Sequence, residues 1–214
     1  MIIKVCGMRN PENIRQLATL DINWIGFIFY KKSLRYFDLP IPPQEKNNSP
    51  LTINHSPLKR VGVFVNASVE EMMEKAGQYK LDYLQLHGNE PADVCHTLHK
   101  RGYALIKAFP IETKEDLSKT LVYEDRVDYF LFDTKCNEYG GSGKLFDWSV
   151  LSAYKGNTPF LLSGGINPGC IREILQFQHP FFAGIDLNSG FEITPGLKDI
   201  GKLHDFIKEI RKTN

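Results

Sequence analysis

Among 214 residues there is almost no imbalance of charge: Lys plus Arg total 26 against 25 for Asp plus Glu, a formal net charge of +1. A chain so nearly neutral has no electrostatic footprint for nucleic acid or a membrane surface, so any anion it binds must be held by local groups. Cysteine is scarce. Cys6, Cys95, Cys136 and Cys170 form no CxxC pair, and a chain of this length needs no disulfide staples, so free thiols in a reducing, cytoplasmic setting are expected. Long apolar stretches are missing too. The run from Trp24 to Tyr30 is far too short to cross a bilayer, and Met1 leads into a strand-like segment without the basic start of a signal peptide. Low-complexity tracts and linkers are absent. At 42% hydrophobic and 24% charged, the composition fits one folded domain, residues 1–214, rather than a disordered chain.

What is present is an alternation. Strand-like segments fall at 2–6, 24–29, 61–65, 83–87, 104–109, 129–133, 160–163 and 182–187, with helical patterns between them. Parallel strands need crossover connections, so this order argues for parallel pairing. Eight such units predict an α/β fold closed into a (β/α)8 TIM barrel. A doubly wound sheet is the alternative, but it usually needs fewer strands and a clear switch point. Asn10-Pro11 and Asn167-Pro168 each place an N-cap before a proline at the first helical position. Ser68 with Glu71 fits a capping box, Asn89-Glu90-Pro91 opens a further helix, and 197–210 has the spacing of a final amphipathic one. The second crossover breaks the pattern: Pro40, Pro42, Pro43, Pro50 and Pro57, with Asn47-Asn48-Ser49, predict an irregular segment over 38–57.

In a barrel of this kind functional groups gather at the C-terminal ends of the strands, and the polar residues fall there. Cys6 ends the first strand, Gln85 and His87 the fourth, Lys107 lies late in the fifth, and Asp133 ends the sixth. Ser163-Gly164-Gly165 follows the seventh, and Asp186 with Asn188-Ser189-Gly190 closes the eighth. Glycine turns after the last two strands predict a phosphate site, where backbone N–H groups meet the anion. A single glycine pair would favour a plain tight turn; two on adjacent strands favour phosphate. Strand alternation puts Lys4 on the same side as Cys6, and such a cation is expected to lower the thiol pKa. Asp133 ends an apolar run, where a carboxyl either bonds loop amides or donates a proton. The Tyr139-to-Lys144 loop, with Gly140, Gly141 and Gly143, suits a lid or an anion cradle but lacks P-loop spacing. Arg35 follows the second strand, and its fork suits a carboxylate at the mouth, against the alternative of a solvated charge. Cys95, His96 and His99 share a helix but have no fourth ligand, so no metal site is expected.

Several segments point further: Lys4-Val5-Cys6-Gly7-Met8, Gly26-Phe27-Ile28-Phe29, Leu84-Gln85-Leu86-His87-Gly88 and Phe132-Asp133-Thr134-Lys135. They continue through Gly140-Gly141-Ser142-Gly143, Leu162-Ser163-Gly164-Gly165-Ile166 and Asp186-Leu187-Asn188-Ser189-Gly190, with Pro195-Gly196-Leu197-Lys198-Asp199 after them. In order and over nearly the whole chain, these resemble the phosphoribosylanthranilate isomerase family of tryptophan biosynthesis. The resemblance implies a cofactor-free Amadori rearrangement of a small phosphoribosyl substrate, with Asp133 as general acid and Cys6 as general base. It gives Arg35 the anthranilate carboxylate, gives the amides around Gly141, Gly164, Gly165, Ser189 and Gly190 the phosphate, and places Gln85, His87 and Asp186 at the mouth. A monomer is expected, with a homodimer as the alternative. Leu34 stands where the family's Ser-Pro-Arg has proline. Rival readings are another phosphate-binding barrel and a catalytically silent one. Of the former, the histidine-pathway isomerase has a carboxylate in place of Cys6, and metal-dependent epimerases need ligands not evident here.

Overall fold

The computed structural model describes residues 1–39, 58–134 and 148–212. Its core is a barrel of β1 (Ile2–Val5), β2 (Trp24–Ile28), β3 (Lys59–Phe64), β4 (Tyr83–Leu86), β5 (Ala104–Ile111), β6 (Tyr129–Thr134), β7 (Phe160–Leu162) and β8 (Phe182–Leu187). The eight strands close in sequential order. Every seam is parallel, and β8 returns to β1 with Lys4 opposite Asp186.

The capping signals work largely as the side chains dictate. Asn10 accepts from the Asn13 amide to start α1 (Pro11–Leu17), and Ser68 accepts from Glu71 to start α2 (Val69–Tyr79). α3 (Ala92–Lys100) begins behind Pro91 without a side-chain cap. Asn167 caps a 3-10 turn, Pro168–Cys170, which runs into α4 (Ile171–Gln176). The crossovers after β5 and β6 carry 3-10 segments, Lys114–Tyr123 and Trp148–Ala153. The last helix, α5 (Ile200–Lys212), starts later than its apolar spacing suggests. Leu197 and Lys198 are taken by a hairpin instead, in which β10 (Leu197–Lys198) pairs antiparallel with β9 (Glu192–Thr194). Gly196, at φ +83°, makes the reversal that a side chain would strain. The irregular segment expected over 38–57 lies outside the described residues apart from Asp38 and Leu39. Among the described residues no helix is long and apolar enough to cross a membrane.

The lower lumen is an apolar plug of Trp24, Val61, Ile106, Ala108, Leu131 and Leu161. The Trp24 ring lies 4.6 Å from that of Tyr83 and 5.1 Å from that of Tyr129. Polar lumen groups therefore sit on a floor of low dielectric, where charges interact more strongly than in water. Lys107 is not one of them. Its neighbours Ile106 and Ala108 face the lumen, so strand alternation turns Lys107 outward. There it is buried, with Nζ 3.1 Å from Glu90 Oε2 and 2.7 Å from the Gly88 carbonyl. Glu90 also accepts from the Asn66 and Gly88 amides, so this pair ties down the loops after β3 and β4 rather than facing a ligand. On α3, Cys95 is buried while His96 and His99 are exposed, and the three do not converge.

Candidate active site

Lys4 and Cys6 do share the lumen side of β1. The lysine Nζ lies 2.9 Å from both carboxylate oxygens of Asp186, and neither side chain is more than 5% exposed. Removing one partner of such a pair leaves an uncompensated buried charge, at a cost of about 3–5 kcal/mol. The pairing also alters Cys6. Burial pushes its thiol above the ordinary range; Lys4 draws it down, Asp186 pushes it up again, and Lys198 draws it down. Lys4 lowers the thiol as expected, but the net shift is upward, because desolvation is the larger effect and Asp186 offsets part of the lysine's charge. Gly26 supplies room for the sulfur: a Cβ there would meet Cys6 Sγ at 2.8 Å.

A raised thiol pKa means little thiolate at neutral pH in the ligand-free protein. Alkylation of Cys6 by iodoacetamide should therefore be slow at pH 7 and climb about tenfold per pH unit, past the ~8.5 of an ordinary thiol. Peptide mass spectrometry resolves Cys6 from the other cysteines. A rate already level by pH 7 would contradict this assignment.

Across the lumen, Gln85 and His87 rise from β4 and Asp133 from β6. The Gln85 amide is 2.8 Å from His87 Nδ1, and His87 Nε2 is 3.5 Å from Asp133 Oδ2. The Gln85 Oε1 atom is buried and has no hydrogen-bond partner among the described residues. Asp133 keeps part of its surface open at 23% exposure, enough to meet a ligand. Burial pushes the Asp186 carboxyl up, against the pull of Lys4.

The turn after β7 carries Gly164 and Gly165 at φ +82° and +70°, conformations that favour glycine. Ser189 opens the turn after β8 and lines the same cavity. Gly190 does not line it. A Cβ at that position would collide with the Ile166 carbonyl, so Gly190 lets the two turns abut. Gly141 and its loop lie outside the described residues.

Arg35 is not a solvated charge. Its side chain is 14% exposed and grips Glu192, with Nε 2.9 Å from Oε1 and Nη2 close to Oε2 at 2.6 Å. The loop carrying it holds without the family's proline. The Ser33 hydroxyl accepts from the Arg35 amide, and the Phe37 amide donates to the Ile28 carbonyl. Gly7, at φ +75°, makes space beside it: a Cβ there would meet both Arg35 Cδ and Asn188 Oδ1 at 2.8 Å. Glu192 and Lys198, which complete this corner, were not expected in the site. The only signal was the Pro195-Gly196 turn, which brings them face to face.

One cavity, of roughly 770 Å3 up to open solvent, is lined by Cys6, Arg35, Gln85, His87, Asp133, Gly164, Gly165, Asp186 and Ser189. It therefore brings together every expected site residue except Gly190 and the undescribed Gly141. A thiol, a carboxyl, a guanidinium and two glycine turns around one opening suit acid–base chemistry on a small anion.

The chain is similar to known proteins over nearly its whole length. Residues 3–209 match the family described as N-(5'phosphoribosyl)anthranilate (PRA) isomerase. The chain is 67% identical over 211 residues to an N-(5'-phosphoribosyl)anthranilate isomerase of Parabacteroides distasonis, covering 98% of this chain and 93% of the relative. It is 47% identical to that of Phocaeicola vulgatus, covering 99% and 98%. Among solved structures, phosphoribosyl anthranilate isomerase from Thermotoga maritima superposes with a TM-score of 0.83 at 34% identity, covering 99% of this chain and all of the other. Fold and sequence agree, and the chain belongs to the N-(5'-phosphoribosyl)anthranilate isomerase family.

Proposed function

We propose that the chain, acting as one catalytic domain, converts N-(5-phosphoribosyl)anthranilate to 1-(2-carboxyphenylamino)-1-deoxyribulose 5-phosphate in tryptophan biosynthesis. The carrying observation is that Cys6 and Asp133, from β1 and β6, face one cavity edged by the glycine turns after β7 and β8. A related isomerase has been solved with reduced 1-(o-carboxyphenylamino)-1-deoxyribulose 5-phosphate bound, at a TM-score of 0.78 and 30% identity. The backbone amides of Gly164, Gly165 and Ser189 hold the phosphate, with Gly190 keeping the two turns together, and Arg35 takes the ring carboxylate. Asp133 protonates the furanose ring oxygen as the C1–O bond breaks and the amine nitrogen lone pair forms C1=N. The resulting cationic Schiff base acidifies the C2 hydrogen. Cys6 removes that proton as thiolate, electrons flow toward nitrogen, and the enolamine tautomerises to the ketone. The iminium charge and Lys4 both favour the thiolate, against the burial that raises its pKa in the resting protein. Gln85 Oε1 offers a sugar hydroxyl an acceptor.

The proposed active form is a monomer, with a homodimer as the alternative: a Thermotoga maritima relative was solved as monomers generated from a dimeric protein. The buried free thiols Cys6, Cys95 and Cys170 support a cytoplasmic setting. Substrate generated in situ from anthranilate and phosphoribosyl pyrophosphate tests the reading. The anthranilate-type fluorescence should decay faster than the spontaneous background. No acceleration by a folded protein that inorganic phosphate still stabilises would turn the reading toward another phosphate-binding barrel.

A further inference from the structure

We infer that Glu192 is a positioning residue for the reaction: it fixes the Arg35 guanidinium in the cavity wall and sets the charge presented to the substrate's carboxylate. The inference rests on the proposed function and deepens it. Glu192 is held from four sides. Oε1 accepts from Arg35 Nε at 2.9 Å, from the Gly196 amide at 3.0 Å and from Lys198 Nζ at 2.7 Å, while Oε2 accepts from Arg35 Nη2 at 2.6 Å. Such a carboxylate cannot swing, and neither can the fork that it holds in two places. Lys198 is itself immobile. Its backbone exchanges two hydrogen bonds with the Asn13 side chain on α1, and its Nζ also reaches Asn188 Oδ1 at 2.7 Å. The hairpin of β9 and β10 is thereby a bracket between α1, the turn after β8 and the loop after β2.

The charge count gives the bracket its use. Arg35 and Lys198 supply two positive charges and Glu192 one negative, leaving +1 over the cluster. Of the three, only Arg35 lines the cavity, so the surplus meets the ligand through a guanidinium already ordered by Glu192. Ordering it beforehand removes a cost that binding would otherwise carry. Burial alone would raise the Glu192 carboxyl, but the Arg35 hydrogen bond and the Lys198 charge outweigh it and hold it below its usual range.

The test compares two reduced product analogues, one with the ring carboxylate and one with a plain phenyl ring, by calorimetry. Replacing Glu192 with Gln puts an amide donor against two cationic donors and frees the fork. In Glu192→Gln the preference for the carboxylate analogue should fall about tenfold, with the phenyl analogue bound within about twofold of wild type. KM should rise by a similar factor, and kcat should fall by less than KM rises. Glu192→Asp, which keeps the charge but is too short to hold all four donors, should show the same trend. It carries the comparison if the glutamine variant does not fold. An unchanged preference in the folded variant overturns the inference. Arg35→Ala separates it from the parent reading: if that variant keeps the preference, the assignment of Arg35 to the carboxylate fails. If it loses the preference while the Glu192 variants keep it, only the positioning role fails.

Discussion

Cys6→Ser lowers kcat/KM by roughly 10²–10⁴-fold, the usual contribution of a positioned acid–base group, while the melting temperature stays within about 4 °C of wild type. The activity loss follows from acidity. A serine hydroxyl is far weaker as an acid than even a thiol raised by burial, so no useful fraction ionises near neutrality. Lys4 favours a thiolate, but its charge, shared with both Asp186 oxygens, cannot bring a serine hydroxyl into that range. The fold should tolerate the change because oxygen is smaller than sulfur and the neighbouring position is Gly26. A temperature shift of that size corresponds to about 1 kcal/mol in a chain of this length. Turnover and calorimetry on the same preparation check both halves. Activity within about tenfold of wild type would remove Cys6 from the base role.

Asp133→Asn produces a loss of the same order for a different reason. The amide is isosteric and can still meet His87 Nε2, which lies 3.5 Å from Oδ2. What it cannot do is deliver a proton to the ring oxygen. The defect should therefore fall on ring opening and leave C2 deprotonation untouched. Deuterium at C2 reports the difference. If proton abstraction by Cys6 limits wild-type turnover, its primary isotope effect should shrink toward unity in Asp133→Asn, because the earlier step has become limiting. A full isotope effect together with a large loss would move Asp133 from acid to another role.

Much of the site was legible in the sequence because a barrel strand turns alternate residues to the lumen and ends at the functional face. Cys6, Gln85, His87, Asp133 and Asp186 could be placed from that rule alone, and the cavity gathers all five. Lys107 shows its limit. Strands buried on both faces are apolar throughout, so the sequence from Ala104 to Phe109 does not say which parity faces in, and Lys107 faces out. The thiol's acidity was hidden for another reason: its burial, which raises it most, does not follow from strand alternation. Nor could periodicity separate Leu197 and Lys198 from the final helix, since two residues of strand leave no pattern. The Arg35 fork, expected to be free for a ligand, is instead shared with Glu192, a partner 157 residues away that strand position does not reveal.

The bridge between Lys4 and Asp186 also bears on how the chain can be made. Lys4 belongs to the first strand of the barrel and Asp186 to the eighth, and they meet at the seam where the ring closes. While the earlier strands are emerging, the lysine has no counter-charge, and sealing it into an apolar lumen would be costly. An unfinished ring thus gains little by closing around it, and late closure over so long a loop is a slow event. Closing the ring and pairing this buried charge are thus a single event, brought about by the eighth strand.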